Sequence, residues 1–295
     1  MTATDKLFAG SIPEIYDGRL VPLIFEHYAR DLAERVAATS PQHVLEIAAG
    51  TGALTSAITA RLPAQSRIVA TDLNQPMLDC AATRSDLKDR ISWRQADALA
   101  LPFEDQSFDV VACQFGVMFF PDKVKGYSEA RRVLRPRGHF VFNVWDRISE
   151  NEFADTVNDA VAALLPDDPP AFLVRTPHGY YDVGKIRAQL TAAGFSDVAI
   201  ETVDHVSRAA SPQDAAVALC QAVRSETRSR RAAPRLMRQP MPPLLPWRSD
   251  LATALSPAAS GRISLLPAAE ATLSTWPSTS TTAPESRRAL LGSTS

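Results

Sequence analysis

The chain has 295 residues, 45% of them apolar and 22% charged, enough to bury a sizeable core in one large or two small domains. Its net charge of −2 hides an asymmetry, because residues 222–295 hold 10 Arg, no Lys and four acids, leaving 21 basic and 29 acidic residues in front. The acidic front lacks the clustered Lys/Arg of a nucleic-acid footprint, the three dispersed cysteines (Cys80, Cys113, Cys220) exclude a disulfide framework or CxxC knuckle, and the five histidines show no HxxxH metal spacing.

In chain order, the N-terminus lacks a basic region followed by an apolar one, and Val21, Ile24, Phe25, Tyr28, Leu32 and Val36 then recur at helical spacing up to a stop at Ser40-Pro41. Short apolar runs follow at 44–47, 67–72, 91–97, 108–115, 139–146 and 197–203. Between them lie the helical patterns ALTSAITARL, PMLDCAATR, KVKGYSEARRVL, FADTVNDAVAALL and VGKIRAQLTAAG. Such alternation predicts an α/β fold: a Rossmann-like, doubly wound, mostly parallel sheet with helices on both faces. The most apolar run, VVACQFGVMFF, is too short to span a membrane and contains Gln114, so the expectation is a cytoplasmic protein with no membrane span.

In a sheet of this kind the ligand sits at the carboxyl ends of the strands, near the point where strand order reverses. The first run ends in Glu46-Ile47-Ala48-Ala49-Gly50-Thr51-Gly52, a turn whose glycines let backbone approach a ligand ahead of a helix N-terminus. The second ends in Asp72, suited to a ribose diol, and the third in Asp97-Ala98, suited to an exocyclic amine, while Met77 could lie against a purine face. Together these describe an adenosine site. Gly52 is followed by Ala53-Leu54-Thr55, so there is no Gly-Lys-Ser/Thr of a P-loop, and Thr55 stands where a dinucleotide fingerprint needs its third glycine. Taken singly, Asp72 and Asp97 read as turn or cap acids and Met77 as core; the ordered set is what carries the ligand reading.

The segments VLEIAAGTG, IVATDLNQPML, QADALALPFEDQSFDVV and EARRVLRPRGHFVF resemble class I S-adenosylmethionine-dependent methyltransferases, in particular the small-molecule branch similar to the ubiquinone/menaquinone C-methyltransferases, over roughly residues 8–205. The resemblance implies S-adenosylmethionine as cofactor and a small, partly apolar methyl acceptor as partner. It places Glu46, Ala48, Gly50 and Gly52 around the methionine and ribose portions. Asp72 and Leu73 fall at the ribose, Asp97 and Ala98 at adenine, and Gln114 and Phe115 at the sulfonium end. Ala48 departs from the glycine that many members carry. The N-terminal segment is expected to fold over the methionine end, with Tyr16 making a contact.

Methyl transfer needs little beyond alignment and exclusion of water, which fits the absence of a triad or paired carboxylates. If a proton must leave the acceptor, His27, His178 or Tyr180 could assist, the last two within PDDPPAFLVRTPHGYYD, a Pro- and aromatic-rich segment expected to cap the site. The rivals are a nicotinamide oxidoreductase on a similar sheet and a non-catalytic nucleoside-binding protein. The cluster Arg131, Arg132, Arg135 and Arg137 reads as a solvated helix end.

The expected organisation is a helical cap (1–40), a cofactor-binding domain (41–221) and a Pro/Ser/Arg-rich tail (222–295) that holds 9 of the 22 prolines and shows neither helical nor strand period. Two origins of the tail stay open, a disordered natural extension and a shifted reading frame. On the second, the chain has lost its seventh strand, and the edge of HFVFNVWD is uncovered.

Overall fold

The computed structural model describes residues 12–84, 87, 90–164, 166, 169, 171–209, 211, 214, 215, 218 and 258–269. A short helix α1 (Ile12–Ile15) leads through a wide π-type segment (Tyr16–Phe25, with Pro22 inside) into α2 (Glu26–Ala38). There follow β1 (His43–Ile47), α3 (Ala53–Arg61), β2 (Arg67–Asp72), α4 (Gln75–Ala82), β3 (Ile91–Gln95), β4 (Phe108–Gln114), α5 (Lys123–Val133) and β5 (Leu134–Trp145). The last described elements are α6 (Glu152–Leu164), α7 (Phe172–Arg175), α8 (Val183–Ala192), β6 (Asp197–Val198), β7 (Glu201–Arg208) and β8 (Ala258–Ala269).

One sheet runs in the order β3-β2-β1-β4-β5-β8-β6, with β7 also paired to β8. The first five strands in that order are parallel, and β8 runs antiparallel to β5, β6 and β7. Order reverses between β1 and β4, so the crevice predicted for a ligand opens beyond Ile47 and Gln114. The central strands read as apolar runs because helices cover both faces: Val44, Leu45, Ile47, Val110, Val111, Ala112, Phe140, Phe142 and Val144 are all buried.

Two expectations are corrected. The seventh-strand place is filled, since β8 pairs with β5 from His139–Ala269 to Trp145–Ile263 and with β7 from Glu201–Leu265 to Arg208–Ala258. This strand was missed because Gly261 and Pro267 interrupt it, and a proline within a run argues against a central strand by removing a ladder donor. The remainder of the 222–295 tail, with the disorder expected for it, lies outside the described residues. The arginines at the end of α5 and the start of β5 are not merely solvated: Arg132 donates to Glu129, Asp105 and the carbonyls of Leu101 and Phe103, Arg135 pairs with Asp109 at 2.8 Å, and Arg131 donates to the Gly194 carbonyl. They fasten α5 and β5 to neighbouring loops. Asp109 in turn accepts from the backbone N–H groups of Gln42 and His43, tying the amino ends of β1, β4 and β5 together.

Candidate active site

The turn after β1 is built from left-handed backbone: Ala48, Gly50 and Gly52 have φ of 55°, 58° and 82°. The two glycines serve different ends. A Cβ on Gly50 would meet only the Met77 methyl, at 3.7 Å, so its face is open to a ligand. A Cβ on Gly52 would press on Trp93 at 3.2 Å and Ala81 at 3.3 Å, which makes this glycine a packing requirement where β3 and α4 approach the turn. Ala48 holds a conformation that favours glycine, and its methyl lies where a side chain on Gly116 would collide at 2.5 Å.

Asp72 ends β2, and its carboxylate braces the turn: Oδ2 accepts from the Gly50 N–H at 2.9 Å, and Oδ1 from the Asn74 N–H at 2.8 Å and the Asn74 amide at 3.3 Å. Burial raises its pKa against the lowering effect of those bonds. A carboxylate offers about four lone-pair sites, which leaves capacity for a ribose diol. Glu46 is buried beneath the turn, where the Thr55 hydroxyl donates to Oε2 at 2.6 Å, and its pKa is pushed up to about 8, first by burial and further by Asp72, with the Thr55 bond opposing. Thr55, where a dinucleotide turn would carry glycine, is thus a buried partner of Glu46. The Thr51 hydroxyl in the same turn is buried without a hydrogen-bond partner.

Around this core the other expected cofactor residues gather. Leu73 is 41% exposed beside Asp72, and Met77 is buried with its methyl toward Gly50. Asp97 is exposed just past β3, with Oδ1 accepting from the Leu99 N–H at 2.9 Å, and Ala98 lies half-buried in that turn. Phe115, just past β4, has φ of 49° and donates its N–H to Asn143 Oδ1 at 2.9 Å.

The N-terminal segment closes over the same strand ends. Gln114 is committed to it, donating Nε2–H to the Phe25 carbonyl at 2.9 Å, and Arg84 pairs with Asp17 at 2.8 Å. Tyr16 stacks on Phe25 with ring centroids 5.0 Å apart, and its pKa is raised by burial and then by the charges of Asp72 and Asp17. Phe25 and Tyr28 both pack on Phe115 and Trp145, themselves stacked at 4.1 Å and 10°. Trp145, Tyr28 and Asn143 were missed in the sequence, and Thr55 entered only as the residue that breaks a dinucleotide fingerprint; their position at strand ends and helix faces is what brings them here.

The three candidate proton acceptors separate. His27 is exposed and lies face to face with His205 of β7, at 3.4 Å and 5°, so the structure does not bring it to the turn. Tyr180 is buried with its hydroxyl bonded to Gln189 Oε1 at 2.5 Å and to the Tyr127 hydroxyl at 2.9 Å, which leaves it committed to packing. His178 is buried beside Trp145, at 5.8 Å between rings. A cavity of about 290 Å³ lies at the opposite, amino ends of the strands, around Gln42, Asp109, Arg135 and His139; its main charges are paired with each other, and it takes no part in this site. Among the described residues no three His, Cys, Asp or Glu side chains converge as metal ligands, and no helix is long and apolar enough to cross a membrane.

Residues 45–142 match the family described as Methyltransferase domain. The demethylmenaquinone methyltransferase of Clavibacter sepedonicus is 30% identical over 172 residues, covering 55% of this chain and 69% of that protein. The chain belongs to the S-adenosylmethionine-dependent methyltransferase family. The demethylmenaquinone methyltransferase of Deinococcus radiodurans is 38% identical over 143 residues, and the chain spans 58% of its length. Among solved structures, phosphoethanolamine N-methyltransferase 2 of Haemonchus contortus in complex with S-adenosyl-L-methionine aligns with a TM-score of 0.54 at 16% identity, over 91% of this chain and 60% of that one. The YcgJ protein of Bacillus subtilis aligns with a TM-score of 0.53 at 17% identity, over 82% of this chain and 98% of that one. At such identities the structural likeness carries the fold alone, which is the Rossmann-like sheet expected from the sequence. The turn fits the family's cofactor: it brings together the open face of Gly50, the partly free carboxylate of Asp72 and the unpartnered Thr51 hydroxyl.

Proposed function

We propose that this chain transfers the methyl group of S-adenosylmethionine to a small, partly apolar acceptor of the quinone type, in the cytoplasm. The observation that carries the reading is the bond from the Gly50 N–H to Asp72 Oδ2, which joins the open glycine turn and the ribose acid into one preformed unit at the reversal of strand order. In this assignment Glu46, Ala48, Gly50 and Gly52 shape the methionine and ribose end, with Gly52 acting through packing. Asp72 and Leu73 hold the ribose, Met77, Asp97 and Ala98 the adenine, and Tyr16, Gln114 and Phe115 close the sulfonium end.

The bound cofactor supplies an electrophilic methyl on a good leaving group. The protein's own part is to align the acceptor and keep water out. The stacked Phe115 and Trp145, sealed by Phe25 and Tyr28, give an apolar wall whose ring faces favour a nearby cation and suit a planar acceptor. The demethylmenaquinone methyltransferase names of the relatives support a quinone-type acceptor.

Isothermal titration of the full chain with S-adenosylmethionine, S-adenosylhomocysteine and NAD tests the reading. Binding of the two sulfur ligands is expected, with loss of both in Gly50→Val, where a β-branched side chain would fill the cradle and resist a φ of 58°. Binding of NAD with neither sulfur ligand would overturn it.

A further inference from the structure

We propose that His178 Nε2 accepts the proton of a hydroxyl group on the methyl acceptor, which places that acceptor in the enol, phenol or hydroquinone class. The inference rests on the methyl-transfer reading above and goes further, naming the group the acceptor must carry and the residue that meets it.

His178 is held in place from several sides. Helix α7 seats Phe172 and Leu173 in a small apolar cluster with Phe119 and Ile148. The His178 N–H then donates to the Leu173 carbonyl at 2.9 Å, closing the turn that carries the imidazole inward. Its Nδ1 lies 2.9 Å from the backbone carbonyl of Asp146, just past β5, an oxygen that also accepts from the Asn151 amide at 3.3 Å. A carbonyl can only accept, so the proton sits on Nδ1, and Nε2 is left as the bare acceptor. Burial pushes the pKa of this ring down to about 4, against the raising effect of Asp146, so the imidazole is neutral under ordinary conditions.

Nε2 points away from Asp146 and takes no donor from any of the described residues. Its ring is the third in a row: Phe115 stacks on Trp145 at 4.1 Å, and Trp145 lies 5.8 Å from His178. The row starts beside the glycine turn, where the transferable methyl is assigned, and ends on an acceptor-only nitrogen. None of the described residues donates to this nitrogen, and it keeps some accessible surface, so a ligand hydroxyl can reach it.

The chemistry balances. The acceptor's O–H bond breaks with its proton going to Nε2, the released electron pair forms the bond to the methyl carbon from the oxygen or a conjugated carbon, and the S–CH₃ pair stays on sulfur. In the carbon case the displaced ring proton returns to the oxygen by tautomerisation. An imidazolium forms as the sulfonium disappears, so the net charge of the buried site is unchanged.

The test uses the full chain loaded with S-adenosylhomocysteine and two planar probes, 1-naphthol and 1-methoxynaphthalene, which differ in whether the oxygen can donate. The wild type is expected to bind the naphthol at least about tenfold more tightly. His178→Ala and His178→Phe should erase that preference while S-adenosylhomocysteine binding stays unchanged. In wild-type protein labelled with ¹⁵N-histidine, the Nε2 resonance should be that of an unprotonated nitrogen and should move with naphthol but not with the ether. Equal affinities in the wild type, no binding of either probe, a preference that survives both substitutions, or a proton on Nε2 would each overturn the inference. Failure of the wild type to bind S-adenosylhomocysteine at all would instead bring down the methyl-transfer reading, and this inference with it.

Discussion

Glu46 is a carboxyl group buried with a single hydroxyl donor, so at neutral pH the cofactor-free protein holds it largely protonated. Its folded pKa of about 8 lies above the unfolded value of 4.5, so the stability it contributes is complete below about pH 4.5 and is lost as pH rises through 8. Glu46→Gln keeps an acceptor for Thr55 and cannot ionise. Thermal unfolding of the cofactor-free forms should therefore show the variant gaining on the wild type from about pH 5 to pH 8.5, by up to a few kcal/mol at ~1.4 kcal/mol per pKa unit. Parallel pH curves would refute that placement of the proton. Asp72 has the opposite virtue, since three donors already organise it. Asp72→Ala should weaken S-adenosylmethionine binding by more than ~1 kcal/mol in isothermal titration, because the ribose diol loses a charged acceptor and Gly50 loses its brace. Unchanged affinity would remove the acid from the site.

At the scale of elements, the N-terminal segment acts as a roof whose attachment depends on few polar contacts. The Phe25 carbonyl sits where the π-type segment passes into α2, and the Gln114 amide satisfies it from the end of β4. Gln114→Ala leaves that carbonyl without its partner at a cost of about 1–3 kcal/mol. The expected outcome is faster proteolytic cleavage between residues 12 and 38, with little change in the resistance of residues 40–200. Cleavage at the wild-type rate would show that the aromatic contacts of Phe25 and Tyr28 hold the roof without the amide.

For the whole molecule, the tail strand decides whether the sheet is closed. β8 lies between β5 and β7, and without it both would present unpaired edges. A chain ending at residue 257 should aggregate or melt well below the full-length protein, whereas one ending at residue 269 should melt close to it. Equal melting of the 257 form and the full chain would mean that residues 258–269 do not stabilise the sheet. Pro267 faces Val141 in the middle of the pairing with β5 and has no N–H to give, so the strand fills its place with one ladder donor fewer than a regular strand would bring.

What the sequence determined by itself was everything encoded in local period and punctuation. The apolar runs marked the five parallel strands, Ser40-Pro41 marked a helix stop, and the order Glu46, Gly50, Gly52, Asp72, Asp97 pointed to the strand ends as the place for a ligand. These signals survive because a strand buried on both faces must be apolar along its length and a turn that approaches a ligand must lack side chains. Only the tertiary structure could sort Gly50 from Gly52, since the reason for each lies in Met77 or in Trp93 and Ala81, far off in sequence. The same holds for His27, His178 and Tyr180, equal as sequence candidates and separated by His205, Asp146 and Gln189. It holds most for β8, whose residues carry no strand period and which is made a strand by two neighbours whose unpaired backbone groups it satisfies.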